Sequence, residues 1–236
     1  MRDHGGNIDR AVGIFGGPAA DWIDLSTGIN RVPYPLPALP ATAWTQLPTA
    51  SARDGLIAAA RAAYGTSAAI LPVAGAQGAI QMIPRLGPPG LARVLSPTYN
   101  EHAASLSAAG WRVETVSDPA EIAGADLGVI VNPNNPDGRE STPAALRDLA
   151  GKVGRLVVDE SFADMTPGLS VAASAGQPGL LVLRSFGKFY GLAGLRLGFV
   201  LGDEAEIARL AALAVDVEPH RQLLHVGDFV LGDEPG

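Results

Sequence analysis

Short apolar segments alternate with helix-forming segments along most of the chain, and this alternation restricts its possible folds more than any other feature. Leu127–Val131 is continuously apolar, as expected of a strand buried on both faces. Residues 51–64 are rich in alanine, with Ser51 as a candidate N-cap and Gly65 after the end, which predicts a helix. Helices between short strands indicate an α/β fold: a three-layer αβα arrangement around a mostly parallel sheet. The predicted strands are 70–74, 93–95, 112–116, 127–131, 156–159, 180–183 and 197–201, and the predicted helices are 51–64, 79–86, 102–109, 142–149 and 203–214.

The composition excludes several classes of protein. The net charge of −7 argues against a general nucleic-acid binder, which needs a basic face. With no cysteine, the chain has no disulfide framework, cysteine-ligated metal or thiol nucleophile. The longest apolar runs are too short to span a bilayer, so no membrane segment is expected, and the chain is predicted to be cytoplasmic. His220 and His225 have no further ligand at a convincing spacing, so no metal site is predicted.

The chain divides into three predicted regions. Residues 1–50 form an N-terminal arm whose proline-rich part, 32–48, is expected to be extended on the surface. Residues 51–214 carry the strand and helix pattern of one large domain. Residues 215–236 form a tail of weak periodicity with no clear place in the sheet.

Polar residues collect after the predicted strands, where open parallel sheets bind their ligands. Such segments occur at 75–77, 132–138, 159–160 and 185–188. Lysine is scarce: Lys152 and Lys188 are the only two in the chain, and Lys188 lies in the last of these segments. Arg196 follows eight residues after Lys188. The sequence thus predicts a site with a helix-start anion nest, an amide, a carboxylate, a lysine and an arginine.

This set of groups suits pyridoxal phosphate (PLP). Its aldehyde needs a lysine amine, its ring nitrogen a carboxylate, its phenolic oxygen a donor, and its phosphate backbone N–H groups with a hydroxyl and an arginine. Taken singly, each residue also has an ordinary structural role, such as a surface lysine or a turn asparagine. The residues predicted for the four positions are Lys188 for the aldehyde, Asp159 for the ring nitrogen, Asn135 for the phenolic oxygen, and Ala76, Gln77, Ser185 and Arg196 for the phosphate.

Three motifs occur in a fixed order: NPNNPDG at 132–138, VVDESF at 157–162 and RSFGKFYGLAGLRLGF at 184–199. Together they resemble the aspartate-aminotransferase-like (fold type I) PLP enzymes, over most of the chain. Within that family the chain is most similar to the threonine-phosphate decarboxylase branch of cobalamin biosynthesis, on HGG at 4–6, DLSTGIN at 24–30, SPTY at 96–99 and SFGKFY at 185–190. Histidinol-phosphate aminotransferases share the same frame.

The resemblance implies a PLP-dependent lyase that converts L-threonine O-3-phosphate to 1-aminopropan-2-ol O-phosphate. It implies that Tyr99 stacks on the cofactor ring, that Lys188 and Asp159 are catalytic, and that residues 51–214 form the PLP-binding large domain. His4, Asn30 and Asn135 are implied to bind the substrate, a small phosphorylated amino acid. Members of the family are usually homodimers, so a homodimer is expected.

Several positions depart from the family pattern. Gly187 stands where many relatives have a serine or threonine, Leu47 stands where they often have tyrosine, and Arg31 stands where proline is usual. Relatives continue with a C-terminal small domain of roughly 100 residues, an ordinary domain size, which the tail 215–236 does not resemble. This leads to the hypothesis that the reading frame is truncated or shifted near Ala214. Two alternatives to the decarboxylase therefore stay open: an aminotransferase of the histidinol-phosphate type, and a non-catalytic fragment that binds cofactor.

Overall fold

A seven-stranded mixed sheet forms the centre of the molecule. The computed structural model describes residues 5–214 together with residues 226, 227, 230 and 231. The strand order across the sheet is β1-β7-β6-β5-β4-β2-β3. The strands are β1 (Ala69–Ala74), β2 (Leu91–Leu95), β3 (Arg112–Val116), β4 (Leu127–Val131), β5 (Leu156–Asp159), β6 (Leu180–Ser185) and β7 (Leu197–Gly202).

Most neighbouring strands are parallel, as predicted, but β7 is antiparallel to both of its neighbours. The pairs β2–β3, β2–β4, β4–β5 and β5–β6 are parallel, whereas β7 runs against β1 and β6. A parallel return needs a long crossover, usually a helix. The segment that joins β6 to β7 contains only the single 3₁₀ turn Ala193–Leu195 and no helix. Strand β7 therefore lies beside β6 and runs in the opposite direction.

Helices cover both faces of the sheet, which confirms the three-layer prediction. One apolar cluster contains Leu56 and Leu146, and the other contains Ile80, Leu106 and Leu210. Strands between the two layers therefore point alternate side chains into the two clusters. The helices are α1 (Ile8–Phe15), α2 (Thr42–Thr45), α3 (Ala50–Ala63), α4 (Gly75–Met82), α5 (Glu101–Ala108), α6 (Pro143–Ala150) and α7 (Glu204–Leu213).

Two helix starts differ from the prediction. The N-cap of α3 is Thr49 rather than Ser51, because the Thr49 hydroxyl accepts a hydrogen bond from the N–H of Ala52 at 3.2 Å. Helix α4 begins at Gly75, directly after β1, instead of at residue 79. None of the helices in the described part of the chain has both the length and the apolar character needed to cross a bilayer.

The two ends of the chain pack differently. Helix α1 buries none of its residues, and within 32–48 only Ala43 is buried. Val226, Val230 and Leu231, by contrast, are at most 3% exposed and belong to the same apolar cluster as Leu56. Part of the tail thus completes the core. The rest of the tail, with His220 and His225, lies outside the described residues.

Candidate active site

One cavity at the strand ends brings together every residue that the sequence assigned to the cofactor. It opens where β5 and β6 end, and the start of β7 lies at the same place because that strand is antiparallel. The structure shows that the predicted cofactor residues lie together in this cavity. The role of each residue in binding the cofactor stays a prediction. The predicted residues that line the cavity are Ala76, Gln77, Tyr99, Asn135, Asp159, Ser185, Lys188 and Arg196.

Asp159 lies at the end of β5 as a buried, hydrogen-bonded carboxylate, 3% exposed. One oxygen, Oδ2, lies 2.8 Å from Nε2 of His102, and Oδ1 accepts hydrogen bonds from the hydroxyl (2.6 Å) and the N–H (3.0 Å) of Ser161. Burial alone would raise the pKa of Asp159, but the contacts with His102 and Ser161 outweigh it and lower that pKa. Asp159 is therefore ionised at neutral pH despite its burial.

Lys188 follows β6 and is half-buried in the same cavity. Its Nζ lies 5.7 Å from the centroid of the Phe162 ring, and within the described residues it forms no ion pair. Burial lowers the pKa of Lys188, the charge of Asp159 opposes this shift, and Arg196 adds to it. Lys188 therefore has a larger neutral, nucleophilic fraction than an ordinary lysine at the same pH.

We expect the Lys188 amine to become reactive at a lower pH than an ordinary lysine, whose pKa is about 10.4. Competitive labelling with acetic anhydride across pH, followed by peptide mass spectrometry, measures its titration in the cofactor-free chain. Lys152 serves as the internal reference for the reagent, because it is exposed and pairs with Asp148 at 2.6 Å. A Lys188 titration within the ordinary range would show that burial does not govern this amine.

The start of α4 provides a cradle for an anion. Ala74, at the N-cap, has no capping side-chain hydrogen bond, so the first N–H groups of the helix remain available. Gly75 has a φ of +69°, and a Cβ there would lie 3.1 Å from Nη2 of Arg196. A Cβ on Gly198 would lie 2.6 Å from the backbone nitrogen of Ala76. The two glycines thus let the arginine and β7 approach the helix end closely.

Asn135 projects from a loop whose other polar side chains are occupied in holding it. The Asn134 amide donates to the carbonyl of Pro97 at 2.8 Å and to Oδ1 of Asp137 at 2.7 Å. The N–H of Arg139, with the Asn134 amide, lowers the pKa of Asp137 to about 2. Asn135 itself is exposed on the cavity side and, within the described residues, makes no side-chain hydrogen bond.

The sequence assigned Asn30 to the substrate, and the structure places its side chain against the segment that carries Lys188. Its Nδ2 donates to the carbonyl of Phe189 at 2.9 Å, and its Oδ1 accepts from the N–H of Val32 at 3.0 Å. Asn30 lines a second cavity that adjoins the first and shares Lys188 and Phe162 with it. His4 lies outside the described residues.

His102 is one of the residues in contact with the site to which the sequence assigned no role. It is 3% exposed and contacts Asp159, but its position in a predicted helix indicated only α-helical structure. The signal available was its position three residues after Tyr99, whose ring meets the imidazole edge-on at 6.2 Å. The spacing indicates that His102 contacts Asp159 only when the orientation of α5 relative to β5 is known.

Residues 49–217 match the family model of aminotransferase class I and II. The chain belongs to this family. A threonine-phosphate decarboxylase of Pseudomonas aeruginosa is 45% identical over 241 residues, which cover 99% of this chain and 72% of that protein. These findings confirm the resemblance noted in the motifs.

Two solved structures of family members share the fold. L-threonine-O-3-phosphate decarboxylase of Porphyromonas gingivalis has a TM-score of 0.69 and 21% identity, with 80% of this chain and 64% of that chain covered. Histidinol-phosphate aminotransferase of Sinorhizobium meliloti, solved in complex with pyridoxal-5'-phosphate, has a TM-score of 0.73 and 23% identity, with 80% and 57% covered. The chain thus spans less than two thirds of either structure, and at these identities the likeness concerns the fold alone.

Proposed function

We propose that the cavity binds PLP and that the chain contributes the cofactor site of a phosphothreonine decarboxylase. The observation that carries the proposal is that Lys188 and the ionised Asp159 line the same cavity as the uncapped start of α4 and Arg196. That donor set fits the cofactor: an amine, a carboxylate and a cationic cradle for a dianion. Residues 51–214 are the proposed PLP-binding domain.

Each group of the cofactor has a proposed partner. Lys188 binds the aldehyde carbon, and Asp159 lies at the ring nitrogen. Asn135 donates to the phenolic oxygen, and Tyr99 packs on the ring. The phosphate is held at the start of α4 by the N–H groups of Ala76 and Gln77, by the Ser185 hydroxyl and by the Arg196 guanidinium. Because Gly187 has no hydroxyl, Ser185 and Arg196 take a larger share of the phosphate contacts than they would beside a serine.

The residues of the chain supply the acid–base chemistry. When bound, PLP supplies an aldehyde that attaches to an amine and a protonated ring that draws electrons from the α-carbon of an amino acid. Asp159 holds the proton at the ring nitrogen, since His102 and Ser161 keep its carboxylate charged. Lys188 accepts or delivers a proton at Nζ near the α-carbon, and its lowered pKa suits it to both directions.

The proposed substrate is L-threonine O-3-phosphate, and the product is 1-aminopropan-2-ol O-phosphate, in cobalamin biosynthesis. The supporting finding is the 45% identity to the P. aeruginosa decarboxylase over 99% of the chain. We further propose that Asn135 contacts the substrate, together with Asn30 and His4. The cavity-lining groups would serve an aminotransferase equally well, so the assay has to separate the two reactions.

The test measures cofactor binding and reaction type on one sample. With PLP added, we expect a visible absorbance band that Lys188→Ala abolishes and that Lys152→Ala, the matched control, retains. We then expect carbon dioxide release from L-threonine O-3-phosphate. Glutamate formation that depends on both 2-oxoglutarate and histidinol phosphate would identify an aminotransferase instead. A Lys188-dependent band with neither reaction would identify a non-catalytic cofactor-binding fragment.

We also propose a cytoplasmic homodimer. The support for a self-association surface is a group of large apolar side chains on the N-terminal arm, which are 66–86% exposed. Exposed apolar side chains that lie together often mark a surface for association with another protein chain. These side chains are Phe15, Ile23, Leu25, Val32, Trp44 and Leu47.

A further inference from the structure

The side chain of Gln77 connects two residues of the neighbouring segment. Its Nε2 donates to Oε2 of Glu101 at 3.0 Å, and its Oε1 accepts from the hydroxyl of Tyr99 at 3.3 Å. Gln77 belongs to the first turn of α4, whereas Glu101 is the first residue of α5 and Tyr99 directly precedes the N-cap of that helix. One amide therefore links the helix that forms the cradle to the residue proposed to pack on the cofactor ring.

The chemistry of an amide fixes the direction of this link. A carboxylate only accepts hydrogen bonds, so the buried carboxylate of Glu101, on a residue 6% exposed, selects the NH₂ end of Gln77. The carbonyl end then faces Tyr99 and accepts from its hydroxyl. With the amide reversed, two acceptors would face each other at Glu101, a costly arrangement in a buried place.

We propose that the Gln77 side chain is a positioning residue that fixes the plane of the Tyr99 ring over the cofactor site. Among the contacts within the described residues, Gln77 accepts from the ring hydroxyl, and the imidazole of His102 meets the ring at an interplanar angle of 85°. His102 in turn contacts Asp159. The two residues proposed to contact the ring of the cofactor, Tyr99 and Asp159, are thereby set by one connected network.

This inference rests on the proposed binding of PLP. It gives the Gln77 side chain a role in addition to the phosphate contact proposed for the Gln77 backbone N–H. The backbone contact survives any substitution of the side chain, whereas the link to Tyr99 does not. Gln77→Met, which keeps the length and removes both polar ends, therefore isolates the side-chain role. Gln81→Met is the matched control, since Gln81 lies one turn later on the same helix, is exposed and does not line the active-site cavity.

The experiment is a double-mutant cycle of Gln77→Met and Tyr99→Phe, read by the dissociation constant of PLP and by the circular dichroism that the chain induces in it. Each single variant is expected to weaken binding roughly two- to tenfold, the range of one net hydrogen bond. The double variant should be no weaker than the worse single variant, because Gln77→Met already removes the contact that Tyr99→Phe removes. Gln81→Met should match the wild type.

The outcomes separate this inference from the proposed function. Absence of Lys188-dependent absorbance in the wild type would overturn both. If the wild type binds PLP normally but the effects of the two single variants are additive, the positioning role alone would be overturned. The same holds if neither single variant changes binding. If Gln77→Met does not fold, Tyr99→Phe decides: wild-type affinity and dichroism in that variant overturn the inference, and weakened binding with altered dichroism supports it.

Discussion

Replacing Asp159 with asparagine is expected to lower the rate of the proposed decarboxylation roughly 10²–10³-fold, the loss typical of removing one preorganised electrostatic contact. The amide keeps the shape of the side chain but has no charge to hold a proton at the ring nitrogen. Asp159 is 3% exposed, so bulk water cannot replace that charge. The measurement is kcat on L-threonine O-3-phosphate at saturating PLP.

The control for this variant is Asp148→Asn. Asp148 is also an aspartate in an ion pair, with Lys152, but it lies on the surface far from the cavity lining. We expect its rate to equal that of the wild type. If Asp159→Asn retained its PLP absorbance and also the wild-type rate, Asp159 would not be the group that holds the ring proton.

Arg184→Met is expected to lower the free energy of unfolding by about 3–5 kcal/mol, the usual cost of removing one partner from a buried ion pair. The Arg184 side chain is 5% exposed and pairs with Glu160 at 2.9 Å and with Asp164 at 2.5 Å. Its guanidinium also lies 4.5 Å from the centroid of the Tyr64 ring. Without Arg184, the buried carboxylates of Glu160 and Asp164 lose the positive charge of this guanidinium. Thermal and denaturant unfolding give the free energy.

Two variants show whether charge is the cause. Arg112→Met removes an arginine that is 73% exposed and 3.9 Å from Glu114, and we expect it to cost less than about 1 kcal/mol. Adding Glu160→Gln and Asp164→Asn to Arg184→Met should recover part of the lost stability, because no buried charge then remains unpaired. No recovery would mean that the lost packing of the arginine, not its charge, causes the effect.

The sequence allowed the strands and the cofactor-site residues to be predicted because both depend on local pattern. Leu127–Val131 begins and ends where its apolar run does, and Leu156–Asp159 extends only one residue beyond its run, since a strand buried on two faces admits few polar residues. Lys188 and Asp159 could be found because lysine is scarce and because polar residues after strands converge in a parallel sheet.

The features that the sequence did not predict depend on relations between distant segments. The antiparallel direction of β7 depends on the path of the chain between β6 and β7. The spacing of apolar residues along the sequence does not predict that path. The contact of His102 with Asp159 requires the orientation of α5 over β5. The side-chain contacts of Asn30 with Phe189 and Val32 arise from the arm lying against the Lys188 segment, a pairing that no local pattern records.

The strand order has a consequence for how the protein is made. β1 is the first strand of the sheet to leave the ribosome, yet its neighbour in the sheet is β7, the last. Until β7 is synthesised, β1 remains an unpaired, largely apolar strand, the kind of segment that associates wrongly with other chains. The same late pairing brings Arg196 to Gly75, so the proposed phosphate cradle is complete only when β7 pairs with β1. We therefore expect an unfinished chain to associate wrongly most readily before β7 emerges, and the proposed cofactor site to form at the end of folding.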